Sequence, residues 1–207
     1  MAVAALLAAC GGESSSDANQ AAGTYDVRVT GASFPAEQRL GQTSLMRLDV
    51  RNTGEKALPA LTVTVSIVGE DGQASSLPFG ISDPQTDLAQ PDRPVWVLAA
   101  GYPRLVGSAE PGGATTSNRK TFSFGPLKPD ATTKAVWKLS AVKAGKFRVL
   151  YKIDAGLSGS AKAESNGVAA GGSFATEISA VPPDTEVTDD GEVVEKAKQR
   201  RRAEPGE

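Results

Sequence analysis

The chain has 207 residues, a formal net charge of −2, no histidine and one cysteine. Ser-His-Asp and Cys-His catalytic sites are therefore excluded, because both need imidazole as the base. A zinc site built from histidine and cysteine and an intramolecular disulfide are excluded as well, and the slightly acidic balance gives no reason to expect nucleic acid as a partner.

The N-terminal ten residues are apolar and end in Leu7-Ala8-Ala9-Cys10. This run is shorter than the roughly 20 residues that span a bilayer, and its small residues are typical of the end of a signal peptide. It resembles the bacterial lipobox. The resemblance implies cleavage between Ala9 and Cys10 and a diacylglyceryl group on the Cys10 thiol. No basic residue precedes Cys10, which leaves open an upstream start codon or a trimmed segment. The alternative to a lipobox is a buried or free structural cysteine on a helical leader.

The next segment, 10–23, consists of Cys10 and the sequence GGESSSDANQAAG, which contains no large apolar side chain. Such a segment cannot bury enough surface to fold, so we interpret it as a flexible tether. Two acyl chains on the cysteine would give stable anchoring. The predicted location is the extracytoplasmic face of a bacterial cell membrane, with residues 1–9 as a short or truncated signal peptide.

From residue 24 to 181 the hydrophobic pattern has a period of two, and no segment has a convincing helical period. The clearest run is 61–67 (LTVTVSI), with aliphatic side chains at alternate positions and hydroxyls between them. This alternation is typical of strands with one buried face. It predicts strands near 25–34, 44–52, 61–69, 95–99, 121–124, 132–141, 146–154 and 173–180.

Seven or eight short strands in one domain predict an all-β, two-sheet antiparallel sandwich. Turn sequences such as Asn52-Thr53-Gly54 separate the runs. The alternation places eight side chains in the core: Val63, Val65, Ile67, Trp137, Leu139, Phe147, Val149 and Tyr151. Trp96 is the second candidate for a core tryptophan.

Two stretches of the body resemble bacterial Ig-like domains, including the cell-adhesion-related CARDB type. One is 48–54 (LDVRNTG) followed by 61–65 (LTVTV); the other is Trp137-Lys138-Leu139 followed by 145–149 (GKFRV). The resemblance covers about half the body and implies an Ig-like fold. It implies no catalytic residues, since such domains share none.

The loops within 78–119 are long for a small sandwich, in which most connections take about 4–6 residues. Phe79, Trp96 and Tyr102 flank them and form a candidate stacking platform for a glycan or small molecule. The alternative is that they are core or loop residues. Residues 156–172, rich in glycine and alanine, are interpreted as a mobile hairpin loop, and 182–207 as a disordered charged tail.

We therefore expect a lipid-anchored, non-catalytic module without a cofactor or metal, which contacts a protein or cell-wall partner. The alternative is a lipoprotein that binds a small molecule or glycan through the 78–119 loops.

Overall fold

A computed structural model describes residues 21–75, 77–81, 94–108, 114–115, 120–182, 185–187, 189–190 and 193–195. These residues form sixteen strands and no helix. In chain order the strands are β1 (Gly23–Ser33), β2 (Glu37–Arg39), β3 (Thr43–Asn52), β4 (Thr62–Gly69), β5 (Phe79–Ile81), β6 (Trp96–Leu98), β7 (Arg104–Leu105), β8 (Ala114–Thr115), β9 (Thr121–Ser123), β10 (Thr132–Ala141), β11 (Gly145–Asp154), β12 (Ala161–Ser165), β13 (Val168–Ala169), β14 (Gly171–Ser179), β15 (Thr185–Val187) and β16 (Val193–Glu195).

All eight predicted strands are present, and β1, β3, β4, β6, β9, β10, β11 and β14 match them within about two residues. The period-two pattern of the sequence explains this agreement between predicted and observed strands. In β3, for example, Met46, Leu48 and Val50 are buried, while Arg47 and Arg51 at the alternate positions are exposed. Alternating side chains point to opposite faces of a sheet, so each of these strands has one apolar face to bury.

The strands form two packed sheets. The first, which we call the β3 sheet, has the order β5-β6-β10-β3-β1, and β7 also pairs with β10. The second, the β11 sheet, has the order β8-β9-β4-β11-β14-β2. Most pairs are antiparallel, as predicted, and three short pairs are parallel: β1 with β12, β2 with β14, and β5 with β6.

The topology is that of an Ig-like sandwich. If β1, β3, β4, β6, β10, β11 and β14 are lettered A to G, the β3 sheet reads A-B-E-D and the β11 sheet contains C-F-G. This is the strand arrangement of Ig constant-type domains. The predicted all-β sandwich fold is therefore confirmed.

Strand β1 joins the two sheets. Its first residues, Gly23–Asp26, pair with β12, and from Val27 onward it pairs with β3. A register shift between Val29 and Gly31 marks a β-bulge, which bends a strand and increases its twist. One strand therefore serves as an edge of the β3 sheet and ties it to the β12–β13 hairpin.

Aromatic side chains from both sheets meet in the core. The Trp137 ring on β10 lies edge-on to Phe122 and Phe124, with centroids 5.9 and 5.5 Å away. The Trp96 ring on β6 meets Phe147 on β11 at 5.7 Å. Of the eight predicted core residues seven are buried, and Phe147 is half-buried against the same cluster.

Residues 156–172 contain a hairpin, as predicted, but its arms are the strands β12 and β13 rather than loop. This hairpin pairs with β1 and β11, and Ala161, Ala163 and Ala170 are buried. The strands were missed because alanine and glycine give little hydrophobic alternation, even where their small side chains suit a tightly packed position.

Within the region predicted as a charged tail, β15 and β16 form a separate two-stranded antiparallel sheet. Neither strand pairs with the described strands of the sandwich.

Candidate functional site

The predicted lipidation and cleavage residues, Cys10 and Ala9, lie outside the described residues. Lipidation of Cys10 therefore stays a prediction from the sequence. In the part of the chain that the structure describes, no helix has the length and apolarity to cross a membrane.

The predicted aromatic platform is not formed, because two of its three members are core residues. Phe79 and Trp96 are 2% and 0% exposed. Trp96 packs edge-on against Phe34, and its Nε1 donates a buried hydrogen bond of 2.9 Å to Oε1 of Gln38. Tyr102 is half-buried, and its ring carries the Arg104 guanidinium at 4.3 Å. The prediction was wrong for Phe79 and Trp96, since the short strands β5 and β6 turn both side chains inward.

A cleft of about 520 Å³ lies at one end of the sandwich, between the turn after β4 and the turn between β10 and β11. Ile67, Val95 and Phe147 form its apolar floor. Glu70 and Asp71 lie on the first turn, and Lys143 and Lys146 on the second. None of the three aromatic residues predicted for a ligand site lines this cleft.

The outer face of the β3 sheet carries a group of basic side chains that we call the cationic face. It comprises Arg28 on β1, Arg47 and Arg51 on β3, Lys134 and Lys138 on β10, and Arg104 on β7. Five of them are exposed and Arg104 is half-buried. From the strand spacing the group covers about 20 Å along the strands and about 14 Å across them.

The strand register brings these residues together. Arg28 lies directly opposite Arg51, whereas Arg47 and Arg104 are both opposite Val136, one on each side. The opposition of Arg28 and Arg51 places like charges side by side, an arrangement that destabilises a strand pair.

Two carboxylates partly compensate the cationic face. Oδ1 of Asp130 forms an ion pair with Nη2 of Arg51 at 2.9 Å, and Oδ2 of Asp49 lies 3.8 Å from Nζ of Lys134. Asp26 on β1 and Asp49 on β3 are the acidic residues among the outward positions of the described strands of this face. Arg28, Arg47 and Lys138 have no ion pair with any described residue.

The outer face of the β11 sheet is balanced by comparison. Its basic residues are Lys146, Arg148 and Lys152 on β11 and Arg39 on β2, and acidic residues lie beside them. Lys146 is opposite Glu177, which is opposite Glu37 in turn, and Lys152 pairs with Asp154 at 2.8 Å. The excess of positive charge is therefore larger on the β3 sheet.

Sequence reasoning assigned no site to the outward charges of the strands. The signal was present in β1, β3 and β10, where the charged residues at outward positions are mainly basic. Only the register shows that these positions are neighbours. No cluster of three or more His, Cys, Asp or Glu side chains suited to a metal ion occurs among the described residues.

No protein-family model and no curated protein matches the sequence. Solved structures with a similar fold include the CARDB domain of the PF1109 protein from Pyrococcus furiosus, determined in complex with di-metal ions. It is 11% identical, with 76% of this chain and 93% of that chain covered and a TM-score of 0.41.

Two further neighbours come from unrelated proteins. Alpha-2-macroglobulin of E. coli matches 74% of this chain and 7% of its own, at 15% identity and a TM-score of 0.39. The ASH/PapD-like domain of human CEP192 matches 89% of this chain and 99% of its own, at 12% identity and a TM-score of 0.35. CARDB domains are thus among the structural neighbours of this β-sandwich, and at these identities the similarity carries no information about function.

Proposed function

We propose that the protein is a lipid-anchored, non-catalytic module on the extracytoplasmic face of a bacterial membrane, and that its cationic face contacts an anionic component of the cell envelope. The anchoring is supported by the sequence Leu7-Ala8-Ala9-Cys10 and by the polar segment that follows it. A non-catalytic domain tethered in this way would act through a surface that contacts its partner.

The observation that carries the proposal is the difference between the two sheet faces. Six basic and two acidic residues lie at outward positions of the β3 sheet, whereas the outer face of the β11 sheet has four basic and three acidic residues. Exposed charges of one sign raise the local concentration of oppositely charged partners and speed their association. Because Arg28 and Arg51 lie opposite each other as like charges, they destabilise the strand pair. The stability of the fold therefore does not explain why both residues are basic.

The alternative function, binding of a small molecule or glycan through the 78–119 loops, has less support. Its aromatic platform required Phe79 and Trp96 to be accessible, and both are buried. The described part of these loops has no other set of convergent aromatic side chains.

Fractionation of the native host tests the anchor. We expect the wild-type chain in the membrane fraction and the Cys10→Ser chain in the soluble extracytoplasmic fraction or the medium, because only the thiol can form the thioether. Equal membrane association of both chains would contradict the anchor.

Site-specific photo-crosslinking tests the contact surface. A photoreactive residue replaces either Thr132 on the cationic face or Ser173 on the β11 sheet; both are exposed and uncharged. We expect envelope components to be crosslinked from position 132 and much less from position 173. Equal crosslinking from both positions would contradict the assignment of the face.

A further inference from the structure

One edge of the cationic face lies near the point where the predicted tether enters the domain. Strand β1 begins at Gly23, and Arg28 is five residues further along the same strand. Five residues of strand span about 17 Å. The edge of the cationic face is therefore close to the point at which the segment from Cys10 joins the sandwich.

The predicted tether is also short. If the thirteen residues 11–23 behave as the coil that the sequence predicts, their end-to-end distance is roughly 20 Å. A domain held at this distance is at high effective concentration relative to its own membrane, so a weak contact is enough to fix its orientation.

The shape of the face favours a planar partner. Its charges are spread over an open sheet surface rather than gathered in a cavity, and the cleft lies at residues of other elements. Apolar outward residues are few: Leu45 and Val136 are half-buried between the basic side chains, and Val106, at the edge beside Lys134, is 58% exposed. Basic side chains with little apolar surface suit adsorption to headgroups rather than insertion into the acyl chains.

We infer that the cationic face lies against the anionic headgroups of the membrane that carries the lipid anchor, and so holds the sandwich flat on the bilayer. This inference rests on the proposed function, because it names the partner of the same face. The two outer faces then have different roles: the β3 sheet faces lipid and the β11 sheet faces outward.

The test uses the full chain with Cys10→Ser, so that adsorption is measured without acylation. Sedimentation with vesicles of pure phosphatidylcholine is compared with vesicles of equal parts phosphatidylcholine and phosphatidylglycerol. We expect binding to the mixed vesicles at low salt, none to the neutral ones, and loss of binding at about 1 M salt, where the Debye length is about 3 Å.

Two charge-matched variants locate the contact. Arg47→Gln with Lys138→Gln neutralises the cationic face, and Lys146→Gln with Arg148→Gln removes the same charge from the β11 sheet. Circular dichroism and the melting temperature establish that both fold. We expect vesicle affinity to fall roughly tenfold or more in the first variant and to stay within about twofold of the parent in the second.

Several outcomes would overturn the inference. These are absence of binding to mixed vesicles, equal loss in both variants, and retained binding in the Arg47 and Lys138 variant, which would assign adsorption to other charges of the chain. Binding to soluble polyphosphate but not to vesicles would identify a polymer as the partner instead. Because acylation plays no part in this assay, its failure is distinguishable from a failure of the anchor.

Discussion

Asn52, at the end of β3, makes buried hydrogen bonds whose removal we expect to lower the free energy of unfolding. Its side chain is 0% exposed. Nδ2 donates to the carbonyl oxygens of Lys56 at 2.8 Å and Leu127 at 3.0 Å, and Oδ1 accepts from the Gly54 backbone N–H at 3.0 Å. One amide therefore ties β3, the turn that follows it, and the segment before β10.

The cost of Asn52→Ala follows from these contacts. A hydrogen bond contributes about 1 kcal/mol net, and a buried group left unpaired costs more. The N–H of Gly54 also donates to Asp26 O, and the carbonyl of Leu127 also accepts from Leu58 N, so both keep a partner. The free energy of unfolding should therefore fall by about 2–3 kcal/mol, which is about 4–12 °C in melting temperature for a domain of this size.

Urea denaturation followed by tryptophan fluorescence measures this loss, because Trp96 and Trp137 are both in the core. Thr53→Ala is the matched control: the neighbouring side chain is exposed, and we expect a change within about 0.5 kcal/mol. Asn52→Asp should be worse than alanine, since it puts a carboxylate oxygen where two carbonyls need a donor. A loss below about 0.5 kcal/mol for Asn52→Ala would refute the reasoning.

Three further predictions concern the core. Ser44→Ala should raise the free energy of unfolding by about 1 kcal/mol, since the buried Oγ of Ser44 has no partner among the described residues. The control, Ser140→Ala, removes a paired hydroxyl and should not raise the free energy of unfolding. Destabilisation by Ser44→Ala would contradict the prediction. In the same urea assay, Val65→Asp should lower the free energy of unfolding by several kcal/mol, because it buries an unpaired charge at a position that is 0% exposed. The control, Ser66→Asp on the outer face of the same strand, should lower it much less. Similar effects of the two variants would mean that the assignment of the two faces of β4 is wrong. Burial raises the pKa of Tyr151 above its ordinary value of 10, so the unfolded chain loses this proton first and stability should fall as pH rises above about 10. Tyr151→Phe should flatten that decline in urea midpoints, and an unchanged decline would exclude Tyr151 as its cause.

The longer strands could be predicted because their side chains alternate between the core and solvent. In β4 and β11 the aliphatic residues recur at every second position, and a shift of one residue would expose all of them. The Asn52-Thr53-Gly54 sequence was interpreted as a turn, and the structure adds that the amide of Asn52 holds that turn in place. Local pattern and tertiary contact agree at this point.

The other parts of the fold and of the candidate site depend on tertiary contacts, which a local sequence pattern does not predict. The strand β12 was missed because Ala161 and Ala163 are small, although both are buried. Phe79 and Trp96 flank long loops, so the sequence left open a surface platform or the core, and the pairing of β5 with β6 places both in the core. The cationic face was missed because Arg47 and Arg104 become neighbours only through the register of β3, β10 and β7.

The most direct test of the central claim, a domain anchored through its N-terminal cysteine, is mass spectrometry of the N-terminal peptide from the native membrane. We predict a mature chain that begins at Cys10 and carries a diacylglyceryl group on the thiol. An unmodified thiol at Cys10, or a mature chain that retains residues 1–9, would contradict the account.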